Sequence, residues 1–150
     1  MENQPHSRTP FTSQRRKARI LALQILYQVD TVGHSLEFTL GALTQTTRYS
    51  DQAIEFARHL TEGVPTQLKE IDGLIHRFAP AWPLEQLSAI DRSILRLAIF
   101  ELLKEQDTPP KVIINEAIEL AKSFGSDKSP GFINGVLGAI MNILRPSKQS

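Results

Sequence analysis

The sequence predicts an all-α protein of six or seven helices without a sheet. Apolar residues recur at intervals of three and four along most of the 150-residue chain, which is the spacing of one helical face. Between these segments stand Gly, Pro, Ser and Thr residues of the kinds that begin or end helices. No segment is a convincing strand. Because 41% of the residues are hydrophobic, the chain can bury a core, and two packed helical bundles are the expected architecture.

Composition and motifs exclude several kinds of site. Cysteine is absent, which removes disulfides, cysteine zinc sites and thiol catalysis. The four histidines lack the spacing of metal ligands, and the sequence has neither a phosphate-binding loop nor a GxSxG motif. We therefore expect no enzyme, no metal and no cofactor. Since no run of about 18 apolar residues occurs, we also expect no membrane-spanning helix and a cytoplasmic location.

The first helix is expected to follow a flexible arm. Residues 1–14 are rich in Pro, Ser, Thr, Gln and Asn, which favours a mobile segment. The helix that begins at Arg15 has an apolar face, formed by Ala18, Leu21, Ala22, Ile25 and Val29.

Charge is unevenly distributed along the chain. The overall net charge is +1, but residues 1–19 carry five basic side chains against Glu2 alone, and residues 20–144 have a net charge of −5. The basic side chains of the predicted first helix lie about a quarter-turn or more from its apolar face, so we expect them to be exposed. This asymmetry indicates an anion-binding end, for which nucleic acid is the commonest partner. The alternative is a solvated, positively charged tail.

Turn and capping residues delimit the next three helices. Their expected limits are Leu36 to residues 44–47, Ser50 or Asp51 to Gly63, and Leu68 to just before Pro80. Pro80 and Pro83 cannot both lie inside one helix, so we expect the join between two halves here. The predicted organisation is an arm over residues 1–14 and two helical subdomains, over residues 15–80 and 81–146, that form one compact domain.

The second half is expected to contain three helices. Ser88 and Asp91 form a capping box that opens a helix to about Glu105. This helix is apolar nearly all round, which is typical of the middle of a bundle, and we interpret its Glu101 as a structural brace. A further helix begins at Pro110.

Glycine, serine and proline delimit the last two helices. We expect the helix from Pro110 to end at Gly125 in a left-handed conformation. Ser129 is the expected N-cap of the last helix, with Pro130 at its first position, and that helix should end before Pro146.

Three segments together resemble a known family. They are RRKAR running into ALQILY at 15–27, DRSILRLAIFEL at 91–102, and PKVIINEAIELAK at 110–122 continued by FG and FINGVL up to Leu137. In this order and spacing they closely resemble the NusB family of bacterial transcription antitermination factors. The resemblance covers roughly residues 15–145, and its third segment is long and specific.

The resemblance implies a fold and a set of partners. The fold is all-α, with two three-helix subdomains. The implied ligand is boxA RNA, a single-stranded element of nascent ribosomal transcripts. The implied protein partner is NusE, a ribosomal small-subunit protein, and the heterodimer joins the elongating RNA polymerase and suppresses premature termination. The family is not catalytic, and some members form homodimers that hide the RNA surface.

By position, the resemblance also implies which residues bind. The residues that correspond to the RNA-binding positions are Arg15, Arg16, Lys17, Arg19, Lys128, Ser129 and Phe132. Asp91 and Arg92 correspond to the face that meets NusE. Where family members commonly carry a His-Lys pair, this chain has Pro130-Gly131, so one cationic contact is missing. Lys128, at a position that is often acidic in the family, is expected to compensate in part.

Two other functions remain open at this point. The chain is alternatively a helical protein-interaction module that does not bind RNA directly. A similar helical domain also occurs in certain ribosomal RNA cytosine methyltransferases, but we do not expect that activity because the chain has no cysteine nucleophile.

Overall fold

The computed structural model describes residues 10–81 and 84–146, and the side chains of residues 14–81 and 84–146. This part of the chain contains α-helices and one short 3-10 turn at Leu84–Gln86, and it contains no strand. The helices are α1 (Pro10–Thr31), α2 (Leu36–Thr46), α3 (Asp51–Thr66), α4 (Leu68–Phe78), α5 (Ala89–Lys104), α6 (Pro110–Phe124) and α7 (Ser129–Leu144). The predicted all-α fold is confirmed.

Helix α1 begins earlier than the sequence suggested. It starts at Pro10, whereas the predicted start is Arg15. Proline suits a first helical position because its fixed φ is already helical and its missing N–H would have no partner there. The first nine residues of the predicted arm lie outside the described residues. On the predicted apolar face, all but the half-buried Val29 are fully buried.

Serine caps fix the starts of two helices, of which the one at Ser88 was predicted. The hydroxyl of Ser35 accepts a hydrogen bond from the backbone N–H of Phe38 (3.1 Å) at the start of α2. The hydroxyl of Ser88 accepts one from the N–H of Asp91 (3.0 Å) at the start of α5. Each bond satisfies a backbone donor that has no partner within its helix.

Helix α3 does not end at Gly63, and this part of the prediction is wrong. The helix continues through Gly63 to Thr66. A Cβ atom at position 63 would overlap the ring of Phe100 on α5. The glycine is therefore a site of close approach between helices, which the sequence alone does not distinguish from a helix stop.

Helix α5 is the central helix of its part of the molecule, as its apolar circumference predicted. It packs against α4, α6 and α7, and nine of its residues are buried, among them Glu101 at 2% exposure. Arg96 of α5 also forms a two-pronged ion pair with Asp72 of α4, with N–O distances of 2.9 and 3.0 Å. The planar guanidinium matches both carboxylate oxygens, which fixes the relative position of the two helices.

The end of α7 stabilises the end of α5. The guanidinium of Arg145 donates to four backbone carbonyls in and after the last turn of α5. The acceptors are those of Glu101 (3.2 Å), Leu102 (3.1 Å), Glu105 (2.6 Å) and Thr108 (2.6 Å). Carbonyls at a helix C-terminus carry partial negative charge, so a cation there is stabilising.

The chain divides into two compact units, one up to Thr61 and the other from Glu62 onwards. This division falls within α3. The subdomain boundary between residues 80 and 81 stays a prediction. Of the helices described, none has the length and apolarity that a membrane span requires.

Candidate nucleic-acid interface

The basic cluster of α1 has three side chains that reach the surface. Lys17 is exposed, and Arg15 and Arg16 are half-buried. All three lie within one turn of the helix, and successive side chains point about 100° apart around its axis. We call these three residues the α1 basic cluster.

Phe56 of α3 holds Arg15 in place. The guanidinium carbon Cζ of Arg15 lies 4.0 Å from the centre of the Phe56 ring, within the range of a cation–π interaction. The ring of His59, one turn later on α3, stacks beside Phe56 with 6.2 Å between centroids and 25° between planes. An open groove runs along this stack. Its lining residues are Gln14, Arg15, Gln52, Glu55, Phe56 and His59.

Arg19 is not exposed, and the sequence-based expectation is wrong for this residue. It is only 4% exposed, and its Cζ lies 5.7 Å from the centre of the Phe56 ring. Arg19 follows Arg15 by four residues, so both point to the same side of α1, where α3 contributes Phe56. Arg19 therefore belongs to the packing beneath the α1 basic cluster.

A second group of predicted residues lies in the other compact unit, at the loop that enters α7. Lys128 is exposed and Phe132 is half-buried. Both line a pocket together with residues that begin α5 and that precede it. The other lining residues are Gln86, Leu87, Ser88, Asp91, Ser126 and Ser129. The structure thus places Asp91, a predicted NusE contact, directly beside the predicted RNA-binding loop.

Ser129 does not cap α7 with its side chain, and it is not at the surface. The residue is 2% exposed, and its hydroxyl accepts a hydrogen bond from the backbone N–H of Ser126 (2.9 Å). Helix α7 begins at Ser129 itself, with Lys128 in the flanking position. The expected roles as N-cap and as an exposed RNA contact are both corrected, because Ser129 closes the turn of the loop.

Gly125 is required by this turn and not by a left-handed conformation. Its φ is −96°, so the expected left-handed exit is wrong. A Cβ atom at position 125 would lie 2.6 Å from the hydroxyl oxygen of Ser129 and 2.9 Å from the carbonyl oxygen of Ala121. The absence of a side chain lets the loop fold back closely onto the end of α6.

The two predicted partner residues on α5 have different surroundings. Arg92 is half-buried and its Nη1 donates to the carbonyls of Leu84 (2.8 Å) and Leu87 (3.0 Å), which ties the 3-10 turn to α5. The Oδ1 atom of Asp91 is buried and, among the residues the structure describes, has no hydrogen-bond partner. Asp91 as a whole is half-buried and lines the pocket beside Lys128 and Phe132.

The arrangement is suited to single-stranded nucleic acid. Cationic side chains neutralise phosphates, and flat side chains stack on unpaired bases. The α1 basic cluster with Phe56 combines both chemistries in one unit, and Lys128 with Phe132 combines them in the other. Within residues 10–81 and 84–146, no group of three or more His, Asp or Glu side chains is arranged to hold a metal ion.

Sequence reasoning missed Phe56. The buried face of α3 contains Ala53, Ala57 and Leu60, and Phe56 follows Ala53 by three residues. That spacing places an aromatic ring at the margin of the buried face. The position of Phe56 in the sequence therefore indicates an aromatic ring on which another side chain can pack, but it does not identify Arg15 as that side chain.

Comparisons with known proteins agree on one family. The NusB family profile matches residues 16–142. The transcription antitermination protein NusB of Dehalococcoides mccartyi (strain CBDB1) is 50% identical over 134 residues, which cover 89% of this chain and 94% of the relative.

Solved structures of this family have the same fold. NusB of T. maritima superposes with a TM-score of 0.77 at 40% identity, covering 89% of this chain and 91% of that one. A second match is a crystal structure of the antitermination factors NusB and NusE in complex with dsRNA. Its TM-score is 0.78 at 26% identity, covering 87% of this chain and 98% of that one.

Proposed function

The chain belongs to the NusB family, and on this premise we propose that it binds boxA RNA together with NusE in transcription antitermination. The observation that carries the proposal is the α1 basic cluster, in which Lys17 is exposed and Arg15 is fixed over Phe56. The solved complex of NusB and NusE with dsRNA supports RNA and NusE as partners of the family.

The α1 basic cluster supplies a modest electrostatic contact. If its three cations neutralise about three phosphates of a single strand, the logarithm of the association constant falls against the logarithm of salt with a slope of about −2. Such a footprint makes binding by the chain alone weak. A partner with its own RNA-contacting surface strengthens binding because the second contact becomes intramolecular.

In the loop before α7, we assign direct RNA contact to Lys128 and Phe132. Lys128 is exposed and offers a cation, and the half-buried ring of Phe132 offers a stacking surface at the pocket. Ser129 supports this loop from within. Pro130 and Gly131 contribute no charge, so Lys128 is the cation of this loop.

The beginning of α5 is the proposed contact with NusE. The half-buried Asp91, which lines the pocket, would accept a hydrogen bond through its carboxylate from a basic or amide group of the partner. Arg92 acts indirectly, by holding the 3-10 turn against α5. The proposal further includes assembly with the elongating RNA polymerase in the cytoplasm, and a function that requires no catalysis.

Fluorescence anisotropy with labelled boxA RNA tests this function. We expect weak binding by the chain alone, tighter binding in the presence of NusE, and weaker binding to a scrambled RNA of the same composition. Capture of NusE without any response to boxA RNA would contradict the proposal and identify a protein-interaction module. Sedimentation of the free chain tests the homodimer that the family resemblance allows.

A further inference from the structure

We propose that the groove beside Arg15 and Phe56 is a subsite for one unpaired nucleobase, which stacks on the guanidinium of Arg15. The inference rests on the proposed function, namely that the chain binds RNA. It adds a base contact on α3, which carries none of the RNA-binding positions that the family resemblance implies. The lining residues of the groove that the structure describes all belong to the same compact unit.

The first argument is the geometry of the stack. The guanidinium carbon Cζ of Arg15 lies 4.0 Å from the centre of the Phe56 ring, so the ring holds this group at the groove. A guanidinium is planar, delocalised and weakly hydrated, and such a group can stack on a base. Because Phe56 already orders Arg15, less side-chain entropy is lost when the base arrives.

The second argument is the composition of the groove. Phe56 and the stacked ring of His59 give it a largely apolar floor. The amides of Gln14 and Gln52 add hydrogen-bond donors and acceptors at the rim. The hydroxyl of Ser50 donates to the Oε1 atom of Gln14, which fixes that amide. An apolar floor with a few polar groups at the rim suits a flat heterocycle with a polar edge.

The third argument is the charge distribution. Arg16 and Lys17 are the two residues that follow Arg15 in the sequence, and their positive charges attract phosphates. Glu55 lies at the groove itself and repels phosphate. The backbone of the strand therefore follows the α1 basic cluster, and the uncharged base enters the groove. This pattern selects a nucleotide over an apolar peptide as the occupant.

A conservative substitution separates stacking from charge. Arg15→Lys keeps the positive charge but removes the planar group, so a pure phosphate contact would survive it. If Arg15 is a stacking platform, Arg15→Lys weakens RNA binding while the salt slope stays unchanged. Arg77→Lys is the matched control, because Arg77 also lies over a phenylalanine, Phe78, at 5.1 Å, but on α4 and away from the groove lining.

The experiment is an abasic scan of boxA RNA, measured by anisotropy in the presence of NusE. For the wild-type chain, removal of the base that occupies the groove lowers affinity by about 5- to 100-fold. The Arg15→Lys variant binds intact RNA more weakly than wild type by a similar factor. Its affinity for that abasic RNA equals its affinity for intact RNA, because the stacking contact is already absent. Arg77→Lys repeats the wild-type profile at every position. Phe56→Leu, checked by circular dichroism for folding, is expected to behave like Arg15→Lys.

The possible results separate this inference from the proposed function. The subsite is refuted if Arg15→Lys binds intact RNA as tightly as wild type. It is also refuted if the affinity of this variant falls below that of wild type by the same factor for every abasic RNA. In both cases RNA binding by the α1 basic cluster still stands. If Arg15→Lys weakens the capture of NusE without RNA, the groove receives protein and the inference is wrong. If wild type fails to bind intact boxA RNA, the proposed function fails first.

Discussion

Arg19 lies buried with its guanidinium carbon 5.7 Å from the centre of the Phe56 ring, while Lys17, two residues earlier on the same helix, is exposed. Neighbouring cations of one basic run therefore have different roles. Arg19 packs inside the protein, and Lys17 is available to a ligand. Two arginines of the run, Arg15 and Arg19, meet the same aromatic ring, so Phe56 organises the basic run from beneath.

Arg19→Ala should act mainly on stability. Removal of a buried, packed side chain lowers the free energy of unfolding by about 1–3 kcal/mol. Lys17→Ala is the control on the same helix and should change it by about 0.5 kcal/mol or less, because Lys17 is at the surface. Urea denaturation measures both. Equal stability of the two variants would contradict the assignment of Arg19 to the interior.

Ser129→Ala and Lys128→Ala should separate folding from RNA contact within one loop. Ser129→Ala deprives the Ser126 N–H of its acceptor and lowers the free energy of unfolding by about 1 kcal/mol. Lys128→Ala leaves stability unchanged, weakens RNA binding and reduces the salt slope. Thermal denaturation and anisotropy on both variants check this. An undiminished RNA affinity in Lys128→Ala would remove this loop from the RNA-binding surface.

Gly63 and Gly73 offer opposite responses to the same substitution. Gly63→Ala forces a methyl group against Phe100 and should lower the free energy of unfolding by about 1–3 kcal/mol. Gly73→Ala, on α4 with no atom within 4 Å of the added Cβ, should raise it by about 0.5–1 kcal/mol because alanine favours a helix. Introducing Phe100→Leu should reduce the cost of Gly63→Ala. The assignment would be wrong if both glycine variants gained stability.

Arg145→Ala should release the end of α5. Four hydrogen bonds from one cation to backbone carbonyls are lost, and we expect the free energy of unfolding to fall by about 2–4 kcal/mol, less than the sum of four separate bonds. Arg145→Lys should recover only part of this loss, since an ammonium group cannot reach four acceptors in a planar array. Chemical denaturation provides the measurement. Full recovery of the free energy of unfolding in Arg145→Lys would contradict the role of the planar guanidinium.

Capping residues and apolar periodicity in the local sequence predicted much of the fold. Contacts between segments that are distant in the sequence explain the features that were predicted wrongly or not at all. The caps at Ser35 and Ser88 act through backbone donors three residues away, so the sequence nearby contains the whole cause. Gly63 lies inside α3 against the ring of Phe100, 37 residues later, and no local pattern reveals this contact. The same is true of Arg145, which caps a helix about 40 residues earlier.

The candidate site shows the same division. Periodicity correctly placed the basic run on a helix, although that helix starts earlier, at Pro10, and periodicity could not show which member of the run Phe56 would cover. The angle of Arg19 from the apolar face suggested exposure, but α3 covers that side too. The spacing of Ser129 before the last helix predicted an N-cap, but its hydroxyl accepts a hydrogen bond from the backbone N–H of Ser126, three residues earlier. Burial of a polar side chain depends on its tertiary neighbours.

The salt dependence of boxA binding in the presence of NusE tests the central claim most directly. For the wild-type chain we predict that the α1 basic cluster contributes about −2 to the slope of log K against log salt. Lys17→Glu should weaken binding and make the slope shallower by at least about 0.7, whereas Lys69→Glu, an exposed lysine on α4, should match wild type in both. A folded Lys17→Glu variant with wild-type affinity and slope would show that transcript phosphates do not bind at the α1 basic cluster.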